Sequence, residues 1–257
     1  MASFGLLVAT GLLLAFFVLR ADLNRRRLSA DPHTIIGLAG LAGLAGAKLY
    51  HVLESPSELM AHPLTLLFSR EGFAWFGGLL AGLITLLLLA RHYHIPMLQM
   101  LDAASPAAAL GYGIGRLGCL VSGDGDYGIP TSLPWGMAFP NGLVPTTERV
   151  HPTPIYELLT AIVISYFLWR LGAQALRQHR PIGVVFAHFL LWTGVARFLV
   201  EFIRINPPWL FGLTNAQVAS LLSFVAGIVL LLRLHSRQTE PPALPNRPRR
   251  PPRPNAS

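Results

Sequence analysis

The sequence predicts an all-α polytopic membrane protein of about seven transmembrane helices with a small periplasmic loop insert. Three observations predict it. Charged residues make up 12% of the 257, against 53% hydrophobic, and the mean hydropathy is +0.51, whereas soluble domains carry about 25% charged residues. Apolar stretches near the ~20 residues that cross a hydrocarbon core recur at about 3–20, 33–53, 72–90, 97–121, 152–171, 182–203 and 214–233. The basic residues also alternate between the connections, gathering on one side.

That asymmetry sets the topology. Arg20, Arg25, Arg26, Arg27, Arg91, Arg170, Arg177, Arg180, Arg233, Arg237, Arg247, Arg249, Arg250 and Arg253 fall on one side, which is 14 of the 20 Lys and Arg. The positive-inside rule then places the N-terminus outside and the C-terminus in the cytoplasm. The net charge of +8 is therefore topology, with some attraction to anionic lipids, and no nucleic acid partner is called for.

Each element follows in order. Span one has no basic n-region and no A-x-A-like site, so it reads as a retained helix, not a signal peptide. Span two, "GLAGLAGLAGAKLY", repeats glycine at 37, 40, 43 and 46, a small-residue stripe that admits a neighbouring helix. The connection near 54–71 has room for a short interfacial helix. The one at about 122–151, "GDGDYGIPTSLPWGMAFPNGLVPTTERVH", is rich in turn formers and predicts a small sheet. Residues 1–235 form one membrane domain, and the Pro- and Arg-rich 236–257 a disordered tail.

Within "GYGIGRLGCLVSGDGDYG" (111–128), Gly113, Gly115 and Gly118 match G-x-G-x-x-G. The strand, helix and acidic residue that a dinucleotide turn needs are missing, so the glycines are read as close packing. Cys119, the single cysteine, excludes an internal disulfide and reads as a packing residue.

A charge at mid-membrane costs at least ~2.5–3.5 kcal/mol on insertion scales, so it pairs or functions. The spans hold Lys48, Asp102, Arg116, Glu157, Arg197 and Glu201, with Arg204 at a span end. Asp102 is expected to be solvated near the inner surface. Arg197, Glu201 and Arg204, spaced by four and three, fall within about 40° on one helix face. Arg197 with Glu201 is a self-neutralising pair on this reading, Arg116 and Arg204 have no assigned partner, and Glu157 is available to balance one of them. Several arginines on one bundle face point to an anionic ligand, since guanidinium binds phosphate through a rigid fork. In a membrane that ligand is a phospholipid.

"GRLGCLVSGDGDYGIPTSLPWGMAFP" followed by "HPTPIYE", with "GGLLAG" at 77–82, "GAKLYHV" at 46–52 and "ARFLVEFIR" at 196–204, together resemble bacterial prolipoprotein diacylglyceryl transferase. The likeness runs in the family's order from near the N-terminus to span seven. It implies seven spans and transfer of a diacylglyceryl group from phosphatidylglycerol to the lipobox cysteine of a prolipoprotein signal peptide. Glycerol phosphate is released, with no metal or organic cofactor, and a monomer suffices. Arg116 matches the essential arginine of the loop motif, and Arg197 and Glu201 match the span-six pair. Asp124 stands at the family's glutamate, with Asp126 as rival because this loop is one residue longer, and Gly128 closes the motif. Arg204, Glu157, His151, Gly77 and Gly78 complete the expected substrate-binding set. Four positions depart from the family: Phe4, Phe76 where histidine precedes the Gly-Gly pair, Cys119 and Thr193. Phenylalanine carries no proton, so the base must be another group; Asp124 and Asp126 are the candidates. The competing readings are a paralogue that binds phosphatidylglycerol with altered transfer, and an anionic-solute transporter, for which the repeats such proteins show are not seen.

Overall fold

The computed structural model describes residues 2–54, 56–61 and 74–239. Among them are α1 (Ala2–Arg25), α2 (Pro32–Glu54), α3 (Pro56–Ala61), α4 (Trp75–His92), α5 (Met97–Ser122), β1 (Met137–Phe139), β2 (Thr146–Val150), α6 (Thr153–Arg177), α7 (Val184–Glu201) and α8 (Asn215–Thr239). The protein is a polytopic all-α membrane protein whose only sheet among the described residues is the antiparallel pair β1–β2. The short α3 stands in the connection where an interfacial helix was expected. The rest of that connection, Arg70 included, and the tail from 240 onward lie outside the described residues, as does the Phe4 side chain.

Six of the seven long helices are apolar enough to cross a membrane by length and composition. The seventh, α5, differs for a physical reason: it is the hub. It packs on α1, α4, α6 and α7, and its "AASPAAALGYGIG" segment trades long apolar side chains for small ones that admit neighbours. A Cβ on Gly113 would lie 2.7 Å from Ala161 Cβ, so glycine here lets α6 approach. Several helices outrun the apolar windows of the sequence, α1 to Arg25 and α6 to Arg177, because helical hydrogen bonding continues where the side chains turn polar.

The arginine-rich end of the bundle is a built structure. Asp22, fully buried, pairs with Arg25 and with Arg26 Nε at 3.1 Å. Arg25 also donates to the Trp169 carbonyl at 2.8 Å and lies over its ring. Asp102 is not solvated: it is 3% exposed. Its two oxygens accept from the backbone N–H of Gly183 at 2.8 Å and of Phe186 at 2.7 Å. A carboxylate on α5 thus caps the N-terminus of α7, where the orphan amides and the helix dipole favour negative charge.

α2 and α4 form a close pair. A Cβ on Gly77 would lie 2.3 Å from both the Gly46 carbonyl oxygen and Tyr50 Cβ, and one on Gly78 3.1 Å from the Gly43 oxygen. The glycine stripe of α2 therefore meets the Gly-Gly of α4 backbone to backbone. Gly77→Ala is expected to force these helices apart and destabilise the protein by about 1–3 kcal/mol, the usual cost of overpacking. Thermal unfolding in detergent measures it, with Gly37→Ala, where nothing lies within 4 Å, as a near-silent control.

Candidate active site

The candidate site gathers where α5 ends, α6 begins and α7 ends, under the 123–152 loop. Its centre is Glu157, where the second turn of α6 begins, and 4% exposed. One carboxylate oxygen accepts from Arg116 Nε at 2.8 Å and lies 3.4 Å from Arg204 Nη1. The other accepts from Arg197 Nη1 at 2.7 Å and from the Tyr112 hydroxyl at 2.5 Å. Arg116 and Tyr112 are one turn apart on α5, so both reach the same carboxylate.

Two more carboxylates close the network. Asp126 binds Arg116 Nη1 at 2.5 Å through one oxygen and Arg204 Nη2 through the other. Glu201 holds Arg197 Nη2 at 2.8 Å and lies 3.5 Å from Arg204 Nε. Its remaining oxygen accepts from Asn206 at 2.6 Å and from the Thr214 hydroxyl at 2.9 Å. Three guanidiniums thus face three carboxylates, and the formal charges cancel. The sequence paired Arg197 with Glu201 and left Arg116 and Arg204 without partners. The fold gives both of them partners, and Glu157 balances all three arginines, not one.

Exposure divides the arginines. The side chain of Arg197 is 26% exposed and that of Arg116 13%, but Arg204 only 5%. Arg204 is the anchor of the group: it also donates to the Asp126 backbone carbonyl at 3.0 Å, and Thr153 donates to that same carbonyl. Arg116 Nη2 sits 2.6 Å from Glu157 but has no aligned hydrogen-bond partner.

Gly128 explains how the loop meets this group. Its N–H donates to the His151 carbonyl at 2.8 Å, it bridges to Arg204, and the next N–H, of Ile129, donates to the Ile203 carbonyl at 2.8 Å. A Cβ on Gly128 would lie 2.3 Å from that Ile203 oxygen. Only glycine lets the loop strand lie against the end of α7. Upstream, Gly123 ends α5 in the left-handed region (φ +56°) and Gly125 has φ +89°, which turns Asp124 and Asp126 back over Arg116.

Asp124 and Asp126 have opposite surroundings. Burial works to raise the Asp126 carboxyl, but the guanidiniums of Arg116 and Arg204 outweigh it and hold it at about 2. Asp124 is raised above the ordinary value, by burial and then by the negative charge of Asp126. Its described partners are the Asp126 N–H, at 3.3 Å, and the Cys119 thiol. Cys119 Sγ also lies 3.5 Å from Arg116 Nη1. One ligand atom each from Cys119, Asp124 and Asp126 fall within 4.8 Å of one another, but both Asp126 oxygens already serve arginines, so the trio belongs to the ion network.

The remaining expected residues sit apart. The His151 ring lies 3.1 Å from the Tyr156 hydroxyl, which accepts from Trp135 Nε1 at 2.7 Å; it organises the loop. Gly77 and Gly78 serve the α2–α4 contact. Phe76 is exposed, and its neighbour Trp75 packs edge-on against Tyr112 with centroids 5.3 Å apart. Thr193 hydrogen-bonds the Phe189 carbonyl of its own helix at 2.6 Å. Sequence reasoning missed Tyr112, Asn206 and Thr214. The i, i+4 spacing of Tyr112 and Arg116 was a usable signal; the other two arrive from the α7–α8 connection, whose path no spacing foretells.

A family model described as prolipoprotein diacylglyceryl transferase matches residues 1–233. Curated proteins named phosphatidylglycerol–prolipoprotein diacylglyceryl transferase are similar along most of the chain. The protein of Geobacter sulfurreducens is 33% identical, covering 93% of this chain and 92% of its own. That of Clostridium tetani is 31% identical (88% and 90%), and that of Bordetella avium 35% (77% and 75%).

Two outcomes follow from the geometry. Gly128→Ala is expected to part the loop from α7, lower the unfolding temperature by several degrees and release Arg204, whereas Gly115→Ala, with nothing within 4 Å, leaves it unchanged or raised. Because the Asp126 carboxyl is depressed from 3.8 to about 2, its contribution to stability is complete above the ordinary carboxylate range and is lost progressively as pH falls from there through about 2. The stability difference between the native protein and Asp126→Asn is therefore expected to stay constant from pH 8 to pH 5 in thermal unfolding.

Proposed function

This chain belongs to the prolipoprotein diacylglyceryl transferase family, and we propose that it moves the diacylglyceryl group of phosphatidylglycerol onto the thiol of a prolipoprotein lipobox cysteine. The observation that carries the proposal is the sharing of Glu157 by Arg116 and Arg197, the two more exposed guanidiniums. One anchor holds two planar cations side by side, and a phosphodiester fits between them. Glu201 positions Arg197, and Arg204 positions Asp126.

The reaction is a displacement at the terminal glyceryl carbon. The thiol sulfur bonds to that carbon, the carbon–oxygen bond to phosphate breaks, and glycerol phosphate leaves with the electron pair. Thiolate is the nucleophile, and a free cysteine thiol has a pKa of about 8.5, so a proton acceptor is required. Asp126, Glu157 and Glu201 are each committed to at least two arginines. Asp124 makes no ion pair with an arginine among the described residues, and burial with the nearby charge of Asp126 raises its affinity for a proton. It is the base in this proposal and replaces the histidine that Phe76 cannot supply. The negative charge then passes from Asp124 to sulfur to the leaving phosphate and comes to rest between Arg116 and Arg197. Donors aligned in advance at that place act as an oxyanion hole does.

Phosphatidylglycerol and a prolipoprotein signal peptide are the two substrates. The positive-inside asymmetry supports a bacterial inner-membrane position with the site facing the periplasm, the N-terminus outside and the C-terminus in the cytoplasm. A monomer carries every proposed residue.

The purified protein, phosphatidylglycerol and a synthetic lipobox peptide test this by intact mass. The peptide is expected to gain one diacylglyceryl group, and Arg116→Ala to lose about 10²–10³ in rate, the cost of removing one oxyanion donor. Asp124→Asn is expected to be slow at pH 7 and to recover toward pH 9, where the acceptor thiol ionises unaided. An Asp124→Asn enzyme as fast as the native one at pH 7 would assign the base elsewhere.

A further inference from the structure

At the other end of α7, away from the ion network, a cavity of about 230 Å³ opens between α7 and α8. Its lining includes Arg180, Val184, His188, Leu231, Leu234 and His235, and no acidic residue. The two sides differ in chemistry. Val184 and Leu234 are 7% exposed and form, with Leu231, an apolar floor. Arg180 and His235 stand exposed at the rim. Arg180 uses Nε on the Gln178 side chain at 2.9 Å, which leaves the fork of its guanidinium for another acceptor. His188 Nδ1 lies 2.8 Å from the Val184 carbonyl, so this nitrogen carries the hydrogen and donates within α7, and the ring forms part of the groove wall.

α8 packs chiefly on α7, so the groove lies at the bundle's edge, with exposed apolar side chains such as Val229 and Leu232 on the same helix. The volume is below the ~300–1,000 Å³ of pockets that enclose a whole drug-sized ligand; it suits a headgroup whose chains run out along the helices. Basic pockets between membrane helices at an arginine-rich face take anionic headgroups. We propose that this groove binds an anionic phospholipid, its phosphate held at the rim by Arg180 and His235 and its first acyl carbons lying along Leu231 and Leu234. The lipid sits at the opposite end of the helix that carries Arg197 and Glu201, so it is a second site and not the substrate's own.

Native mass spectrometry of the full chain, titrated with phosphatidylglycerol, cardiolipin or phosphatidylcholine of matched chains, tests it. Retention of anionic lipid is expected to fall roughly fivefold or more in Arg180→Gln/His235→Gln, the scale of removing basic residues beside an anionic headgroup. Phosphatidylcholine binding is expected to be unchanged, and so is single-turnover transfer from phosphatidylglycerol, which separates this lipid from the one in the catalytic site. Leu231→Trp, which fills the cavity without altering charge, is expected to give the same loss. Equal retention in the double variant would overturn the proposal. So would loss in the charge variant with none in Leu231→Trp, which means diffuse surface attraction, or displacement of the lipid by inorganic phosphate at similar concentration, which means a soluble-anion site.

Discussion

Glu157 carries its negative charge 4% exposed inside the bundle, and three helices arrange themselves around it. Its two oxygens meet guanidiniums from α5, from α7 and from the connection after α7. Removing one partner from such a group leaves an uncompensated buried charge, whose cost exceeds the worth of the pair itself. The cations therefore cannot drift, because each is held by at least two carboxylates or their bridging atoms. An active site for an anionic lipid needs that property: the cations must stay in place and charged whether or not the phosphate is present, without collapsing onto bare hydrocarbon.

Small residues make this arrangement reachable. Gly113 lets α6 come close enough to α5 for Glu157 to reach Arg116, and Gly128 lets the loop lie on the end of α7 so that Asp126 reaches Arg204. In both cases the missing Cβ acts on backbone separation, and the charged contact follows from it. Loop motif and span-six motif are thus one device, since Gly128 and Arg204 are paired through their backbones.

Much of this was legible in the sequence. Spans, glycine stripe, small sheet and the convergence of Arg116, Arg197 and Glu201 all follow from periodicity, composition and the cost of intramembrane charge. The rest was hidden because partner choice depends on three-dimensional paths. Glu157 stood out as an ionisable residue in a span, but nothing along the chain says that it serves three arginines. Arg204 carried no sign that it is the most buried of them. Asp102 looked like a solvated residue at a span end because hydropathy does not register the N-terminus of another helix. Gly77 and Gly78 stood out as part of a motif, but nothing along the chain says that they meet α2 backbone to backbone.

The cap that Asp102 places on α7 sets a rule on length. α5 and α7 are joined at one end through Asp102 with Gly183 and Phe186, and at the other through Glu157, which links Arg116 to Arg197. Each added residue advances a helix by about 1.5 Å and turns it by about 100°, so one insertion between the two tie points cannot satisfy both. Side chains on the outward faces of these segments can vary in identity, yet the number of residues between the ties is fixed, in the way that two rungs fix the rails of a ladder.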